Sequence, residues 1–312
     1  MRGRIVKGVG NFFDAYIEEY CEFKDKIIAC NSKGVFRKDN IKPLVGDIAD
    51  IEINCGNKDE TTGIINSIFE RKNFLLRPPV ANLDTLFIIS AARSPEPSYY
   101  FIDKLAVTAA DNDITPVIII NKIDLLDDIN NSDSLEIYDI YKKAGFKTIK
   151  ISAETMNSES HEFDEVKEEM RNKICAFSGV SGAGKSSVLN KIFPELNLET
   201  GSLSNKIERG KHTTRTVELF KNSLNGYVAD TPGFSMLDFE NYGSISKDNL
   251  ILDFPDLNQY AINCRYKKCT HTKEDGCEVI YAVKENKIAK SRHESYVALY
   301  SLLKKQKNKD WK

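Results

Sequence analysis

The chain contains the run Ile174-Cys175-Ala176-Phe177-Ser178, followed without a break by Gly179-Val180-Ser181-Gly182-Ala183-Gly184-Lys185-Ser186-Ser187. The first run predicts a buried strand over 173–178, and apolar residues spaced three and four apart after Ser187 predict a helix. A glycine-rich loop that ends in Lys-Ser between a strand and a helix is the arrangement that wraps phosphate groups in backbone N–H groups. This stretch therefore predicts an α/β domain with a phosphate-binding loop.

Two side chains at the end of this loop have predicted roles in phosphate chemistry. The ammonium group of Lys185 is expected to neutralise phosphate oxygens, which makes it a candidate catalytic residue. The hydroxyl of Ser186 is expected to ligate Mg²⁺. All residues of 179–187 are expected to belong to the nucleotide-binding set.

A second motif, Asn121-Lys122-Ile123-Asp124, follows the apolar run 117–120. Asp124 can accept two hydrogen bonds from the N1–H and the exocyclic amine of guanine, whereas adenine offers no such pair of donors. Asn121 is expected to brace neighbouring loops, and the stem of Lys122 is expected to lie over the base. The tetrapeptide alone is also compatible with an ordinary turn.

The two motifs occur in reversed order. The base-reading motif begins 58 residues before the phosphate loop, whereas in the familiar GTP switch proteins the phosphate loop comes first. Between them, Ser152-Ala153 follows a predicted strand at 148–151, and a backbone N–H there can reach guanine O6. Three such elements at the ends of three strands predict a circularly permuted, doubly wound GTPase domain. Its other predicted elements are strands at 86–89, 117–120 and 226–229 and helices at 99–111, 133–144 and 163–171.

The predicted γ-phosphate side begins after strand 226–229, with Asp230-Thr231-Pro232-Gly233. Asp230 is expected to reach Mg²⁺ through water, and the Gly233 amide is expected to sense the γ-phosphate. The next residue is Phe234, where many GTPases place a glutamine that orients the attacking water. Phenylalanine cannot orient water, so the hydrolytic machinery is expected elsewhere.

The segment Gly210-Lys211-His212-Thr213-Thr214-Arg215-Thr216 lies where a switch segment supplies a threonine to Mg²⁺ and the γ-phosphate. Thr214 is the first candidate for this ligand and is also a candidate catalytic residue, and Thr213 is the second candidate ligand. His212 is a candidate catalytic residue that orients water. An exposed loop histidine without a catalytic role is the alternative interpretation.

Near the C-terminus, four metal-binding residue types form the pattern Cys264-x4-Cys269-x-His271-x5-Cys277. Three thiolates and one imidazole make a closed tetrahedral set suited to structural Zn²⁺. A segment with few apolar residues needs a cross-link such as a bound metal ion to fold. Free cysteines beside a surface histidine are the alternative. The scattered cysteines are interpreted as small buried hydrophobes: Cys21, Cys30, Cys55 and Cys175.

Three domains are predicted: an N-terminal β-barrel at 1–71, the GTPase domain at 72–240 and a zinc-binding domain with helices at 241–312. The barrel strands are expected at 12–18, 26–30, 33–36, 47–54 and 62–69, and a C-terminal helix at 291–306. Five short strands suit a barrel of the oligonucleotide-binding type (OB-fold). Strand count alone does not separate it from a five-stranded barrel with no nucleic-acid role.

The 312-residue chain has a net charge of −2 that is unevenly spread, with −1, −6 and +5 in the three predicted domains. The basic C-terminal segment suggests a polyanion partner, and a merely solvated charged tail is the alternative. No apolar run approaches the roughly 20 residues of a membrane span, and the first residues lack the apolar stretch of a signal peptide. A cytoplasmic location without a membrane partner is therefore expected.

Taken together, these residues resemble the ribosome small-subunit-dependent GTPases of the RsgA (YjeQ) type. The resemblance also includes Arg77-Pro78-Pro79-Val80-Ala81-Asn82-Leu83-Asp84 and Ser295-Tyr296, and it spans roughly residues 5–300. It implies an oligonucleotide-binding barrel, a permuted GTPase domain and a zinc domain. It also implies a role in a late checkpoint of small-subunit assembly, hydrolysis stimulated by the subunit, and His212 at the catalytic position.

The sequence thus predicts a GTP hydrolase that acts in late maturation of the small ribosomal subunit, with release of assembly factors. The expected cofactors are one structural Zn²⁺ and the Mg²⁺ that accompanies GTP. The expected partners are GTP, GDP and the small subunit with its ribosomal RNA, and the chain is expected to be a monomer. Two alternatives stay open: a permuted GTPase of large-subunit assembly, and an RNA-binding assembly module that does not hydrolyse GTP.

Overall fold

The structure, a computed structural model, describes residues 1–33, 42–55, 61–76, 78–126, 132–196, 217–230 and 245–306. No helix in this described part of the chain is both long enough and apolar enough to cross a membrane.

The first five strands form a closed barrel. They are β1 (Arg2–Val9), β2 (Phe12–Ile17), β3 (Ile27–Ser32), β4 (Ile48–Cys55) and β5 (Thr61–Ile68). Their order is β1-β2-β3-β5-β4, and β4 also pairs with β1, which closes the barrel. Only β3 and β5 run parallel to each other. This five-stranded closure confirms the predicted barrel, and its Greek-key order is that of the oligonucleotide-binding type.

The strands expected at 12–18, 26–30, 47–54 and 62–69 correspond to β2, β3, β4 and β5, whereas the sequence did not reveal β1. Two glycines interrupt it, and glycine disfavours strands in isolation. The packed barrel requires small residues there, since a Cβ on Gly3 would lie 2.8 Å from the Cδ1 of Ile51. The strand expected at 33–36 lies outside the described residues, except for Lys33, which follows the end of β3.

A short hairpin follows the barrel, formed by β6 (Phe74–Leu76) and β7 (Pro79–Ala81). It is attached to the barrel, because Ala81 donates its backbone N–H to the carbonyl of Val45 at 2.8 Å. A Cβ on Gly46 would lie 2.0 Å from the carbonyl oxygen of Ala81, so only glycine allows this close approach.

The central domain is a parallel sheet with helices on both faces. Its parallel strands lie in the order β10-β9-β8-β11-β13 and are flanked by the antiparallel strand β12. The strands are β8 (Thr85–Ala91), β9 (Thr115–Asn121), β10 (Lys147–Lys150), β11 (Ile174–Ser178), β12 (Glu218–Lys221) and β13 (Tyr227–Asp230). The helices are α1 (Tyr99–Asp111), α2 (Ser132–Lys143), α3 (His161–Met170) and α4 (Lys185–Ile192).

This architecture confirms the predicted doubly wound domain and the strands and helices expected from apolar runs. All seven residues of β8 are buried, as expected for a strand covered on both faces. The sequence did not reveal β12, since its four residues are too few to show a period.

The barrel and the central domain share one eleven-stranded sheet, because β12 pairs with β1 at Lys7 and Glu218. Their side chains form an ion pair at 3.2 Å. The adjacent strand β13 adds a second contact, in which the hydroxyl of Tyr227 donates to Glu18 at 3.0 Å.

The C-terminal region has its own apolar core. It contains a 3₁₀ turn (Leu250–Asp253) and the helices α5 (Pro255–Ala261), α6 (Glu278–Lys284) and α7 (Lys290–Gln306). The core includes Leu250, Phe254 and Leu299, and Val107 of α1 packs into it from the central domain. The helix predicted at 291–306 is confirmed.

Candidate functional site

The motifs predicted from sequence meet at one edge of the parallel sheet. Asn121 ends β9, Ser152 follows β10, and residues 179–184 connect β11 to α4. Because these three strands are parallel, their carboxyl ends lie at the same edge. The long sequence separation between the motifs therefore does not separate them in space.

Close packing requires glycine at two positions of the phosphate loop, Gly179 and Gly184. A Cβ on Gly179 would lie 2.2 Å from the carbonyl oxygen of Ile89, and one on Gly184 would lie 2.2 Å from the Nδ2 atom of Asn121. Gly184 also has a φ of 95°, in the left-handed region that favours glycine. It is the N-cap residue of α4, whose first N–H groups have no partner within the helix. The loop therefore directs backbone donors toward a point where an anion can bind.

The side chain of Lys185 lies against this loop. Its ammonium group donates to the carbonyl oxygens of Gly179 at 2.8 Å and Val180 at 3.1 Å. Burial lowers the pKa of Lys185 from its ordinary value, because a low-dielectric environment disfavours the charged form. An anionic oxygen beside the ammonium group would offset that cost. The neighbouring Ser186 is buried in the first turn of α4.

Asn121 connects two of the motifs through its side chain. Its Nδ2 donates to the carbonyl of Ala183 at 2.9 Å, and its Oδ1 accepts from the backbone N–H of Ala153 at 3.1 Å. The side chain is 2 % exposed, so these hydrogen bonds replace those that water would supply. The phosphate loop and the Ser152-Ala153 segment are thereby held in a fixed relation.

Asp124 is oriented by a direct contact with Ser152. The hydroxyl of Ser152 donates to Oδ1 of Asp124 and accepts from the backbone N–H of Thr155 at 3.1 Å. Asp124 lies in a short 3₁₀ turn (Ile123–Leu125) that follows Lys122. The backbone N–H of Ile123 donates to the carbonyl of Ile151 at 3.4 Å, which ties this turn to the residue that follows β10. Sequence reasoning did not anticipate the contact of Asp124 with Ser152.

Most of the predicted γ-phosphate side lies outside the described residues. Asp230 ends β13, which is adjacent to β11 in the sheet. The side chain of Asp230 and all of His212, Thr213, Thr214, Gly233 and Phe234 lie outside the described residues. Their roles stay predictions.

The C-terminal cysteine pattern forms a compact cluster. The ligand atoms of Cys264, Cys269, His271 and Cys277 all lie within 4.8 Å of one another. The Sγ atoms of Cys264 and Cys277 are 3.8 Å apart, and His271 Nδ1 lies 3.4 Å and 3.5 Å from them. Tetrahedral zinc with bonds of about 2.3 Å places two sulfur atoms about 3.8 Å apart, so the donor set fits Zn²⁺.

Hydrogen bonds stiffen the loop that carries these four residues. Burial opposes ionisation of Glu274, but hydrogen bonds from Thr270 and from backbone N–H groups lower the pKa of Glu274 to about 2. Nε2 of His293, on α7, donates to the carbonyl of His271 at 2.7 Å. The hydroxyl of Tyr296 donates to the carbonyl of Thr270 at 3.2 Å. The cluster is therefore anchored on α7, a relationship that the cysteine spacing does not reveal.

Comparison with known proteins identifies the family. The model of the RsgA GTPase family matches residues 68–240, and the model of the RsgA N-terminal domain matches residues 2–65. The chain belongs to the RsgA GTPase family. A further model, described as a 50S ribosome-binding GTPase, matches residues 174–307.

Curated relatives match over nearly the full length of the chain. A protein of Ruminiclostridium cellulolyticum named small ribosomal subunit biogenesis GTPase RsgA is 41 % identical, and the alignment covers 97 % of this chain and 93 % of the relative. The protein of the same name from Bacillus subtilis is 36 % identical, with 98 % of each chain covered.

Two solved structures of similar proteins show the same fold. One, described as YloQ, a circularly permuted GTPase, superposes with a TM-score of 0.76 at 31 % identity and covers 98 % of this chain and 95 % of that one. The other, YjeQ from Thermotoga maritima, has a TM-score of 0.78 at 33 % identity, and the match covers 97 % of this chain and 98 % of that one. The predicted fold therefore agrees with both solved structures, and the predicted circular permutation agrees with the description of YloQ.

A buried ion pair that joins two predicted domains was missed by the sequence analysis. Arg292 of α7 is 1 % exposed and contacts Asp103 of α1 and Asp256 of α5. Its Nε and Nη2 atoms donate to the two carboxylate oxygens of Asp256 at 3.1 Å and 2.8 Å. Burial raises the pKa of Asp103 even with this guanidinium beside it. The buried ion pair between Arg292 and Asp103 therefore joins the C-terminal region to the central domain.

Proposed function

We propose that this chain is a GTP hydrolase that acts in biogenesis of the small ribosomal subunit. The observation that carries the proposal is the side chain of Asn121, which joins the phosphate loop to the base-reading loops at one edge of the sheet. A site that holds these loops together is suited to a guanine nucleotide whose base and phosphates lie on either side of Asn121.

In this proposal the carboxylate of Asp124 selects guanine. Its Oδ1 is held by the hydroxyl of Ser152, so the carboxylate is already oriented before the base arrives. The stem of Lys122 covers the base, Ile123 completes the turn that aims the carboxylate, and the Ser152-Ala153 segment lies on the O6 side of guanine. Preorganisation of this kind reduces the entropy lost on binding.

The phosphates would be held by backbone N–H groups of residues 179–187 and by Lys185. The ammonium group of Lys185 now donates to the carbonyl oxygens of Gly179 and Val180. When a phosphate binds, it would donate to an anionic phosphate oxygen instead, which stabilises the positive charge more strongly. Mg²⁺, when bound, would neutralise phosphate charge during hydrolysis, and Ser186, Asp230 and Thr214 or Thr213 are the residues that would hold it. The buried hydroxyl of Ser186 fits this hard cation.

For the hydrolytic step, we assign the orientation of water to His212 and the sensing of the γ-phosphate to the Gly233 amide. Catalysis in such sites comes mainly from positioning and charge stabilisation, and Lys185 supplies part of the charge. Phe234 offers no hydrogen bond to water, so intrinsic hydrolysis is expected to be slow and to need a partner that completes the site.

The proposed partner is the small ribosomal subunit with its ribosomal RNA. The full-length relatives carry the name small ribosomal subunit biogenesis GTPase RsgA, and this chain covers nearly all of their length. The barrel at 1–71 and the basic segment at 241–312, with its structural Zn²⁺ on Cys264, Cys269, His271 and Cys277, would contact RNA, with residues 72–240 between them as the GTPase domain. A cytoplasmic monomer that releases assembly factors is part of the same proposal.

A second candidate is a GTPase of the large subunit, because the family model described as a 50S ribosome-binding GTPase matches residues 174–307. The relatives that match over nearly the full length are named small ribosomal subunit biogenesis GTPases, which favours the small subunit instead. Co-sedimentation with separated subunits in the presence of a non-hydrolysable GTP analogue or GDP decides between them. The proposal predicts analogue-dependent binding to the small subunit, and binding only to the large subunit would overturn it.

A further inference from the structure

A segment that is not among the predicted nucleotide-binding residues lies beside them. Residues 92–98 follow β8 and lead into α1. The segment begins at the site, because the backbone N–H of Ala92 donates to the carbonyl of Asn121 at 2.7 Å. Its start is therefore fixed to the same residue that braces the two halves of the site.

The segment also contacts the side chain of Lys122. The ammonium group donates to the carbonyl of Ser94 at 2.5 Å. Lys122 itself has a φ of 64°, in the left-handed region, so its backbone turns away from the direction of β9. A charged donor on a fixed carbonyl is among the stronger hydrogen bonds available to lysine.

The segment also lies close to the phosphate loop. A Cβ placed on Gly182 would lie 3.7 Å from the Cδ of Pro95, so the proline ring is near this loop. Residues 92–98 therefore contact the base-reading loop through Ser94 and lie beside the phosphate loop at Pro95.

We propose that residues 92–98 position the nucleotide site, with the carbonyl of Ser94 holding the Lys122 ammonium so that the lysine stem is stretched over the place where guanine binds. This inference rests on the proposed guanine-nucleotide function and adds an element to that site. Ser94 acts through Lys122 and is a positioning residue. A free lysine would have to lose rotamer freedom when the base arrives, whereas a tethered one has already lost it.

The competing explanation is that the segment serves only to start α1. Ser98 is the N-cap residue of that helix, and its hydroxyl accepts from the backbone N–H of Phe101 at 3.4 Å. A segment with that role alone would affect the stability of the fold but would not act through Lys122.

The backbone of Ser94 offers a matched pair of variants. Its φ is 51° and its side chain is exposed. Ser94→Gly removes the hydroxyl and keeps this backbone easily accessible, whereas Ser94→Val removes the hydroxyl and disfavours it, because a β-branched residue strongly avoids positive φ. The two variants therefore differ in how well the carbonyl can reach Lys122.

The experiment measures the dissociation constant and release rate of fluorescent GDP for both variants, in the natural chain and in a Lys122→Met background. Losing one charge-assisted hydrogen bond that orders the site should make Ser94→Val bind GDP about tenfold more weakly than Ser94→Gly, mainly through faster release. In the Lys122→Met background the two variants should bind alike. Equal binding in the natural background, or an undiminished difference in the Lys122→Met background, overturns the inference.

Pro95→Gly supplies a second test, at the residue beside the phosphate loop. It should speed GDP release more than Pro97→Gly, a proline-to-glycine change two residues further along the segment. Equal release rates for the two proline variants would contradict the inference. Failure of the proposed function is separately visible, because the natural chain would then show no guanine-nucleotide binding at all.

Discussion

The side-chain amide of Asn121 donates to the carbonyl of Ala183 at 2.9 Å, across 62 residues of sequence. The same side chain accepts from the backbone N–H of Ala153. One buried residue thus joins the phosphate loop, which follows it in the chain, to both base-side loops. This is how a domain whose motifs occur in reversed order still assembles a single site.

Replacing Asn121 by alanine should separate these loops. The change removes two buried hydrogen bonds and leaves their partners in Ala183 and Ala153 unsatisfied, so nucleotide affinity should fall by about 10- to 100-fold. Isothermal titration with GDP measures the effect, and Asn263→Ala, at an exposed position, is the control. GDP affinity equal to that of the control would contradict the bracing role.

The base-reading role of Asp124 predicts a change of nucleotide specificity. In Asp124→Asn the side-chain amide offers a donor where guanine also has a donor, so GTP binding should weaken by about tenfold or more. Xanthine presents an acceptor there, so xanthosine triphosphate should be the preferred ligand of the variant. Competition between the two nucleotides measures the preference, and a variant that still prefers GTP would refute the role.

These two residues show how much of the site the sequence predicts. Local motifs such as 179–187 fix backbone conformation within a few residues, so their position after a strand could be inferred. The contact of Asp124 with Ser152 depends on the register of β10 against β9, which no local pattern contains. The strands β1 and β12 were also missed. Each is stabilised by its partner strands more than by its own composition, so no local pattern reveals it.

The cysteine cluster predicts one tightly held metal ion. Cys277 is buried, so Cys277→Ser should lose the metal and destabilise the C-terminal region. Metal analysis of the purified chain should give about one zinc per molecule, falling to near zero in the variant. Cys21→Ser, which lies in the barrel region, should keep the full zinc content. Retention of one equivalent by Cys277→Ser would argue against this ligand set.

The buried Arg292 predicts a large stability effect from a residue outside the predicted nucleotide-binding set. It is separated from Asp103 by 189 residues, which is why no sequence pattern revealed the pair. Arg292→Leu leaves two buried carboxylates without their partner and should cost about 3–5 kcal/mol of unfolding free energy. Arg265→Leu, at an exposed position, should change it by no more than about 0.5 kcal/mol. Urea unfolding compares them, and similar midpoints and slopes for the two variants would contradict this assignment.

The central claim is that the small ribosomal subunit completes a site that hydrolyses GTP slowly on its own. The most direct measurement is the rate of phosphate release from GTP by the purified chain, alone and with isolated small or large subunits. The account predicts an increase of about a hundredfold or more with small subunits, in the range that a partner's completion of a GTPase site can supply, and little change with large subunits. Equal rates with and without small subunits would contradict it.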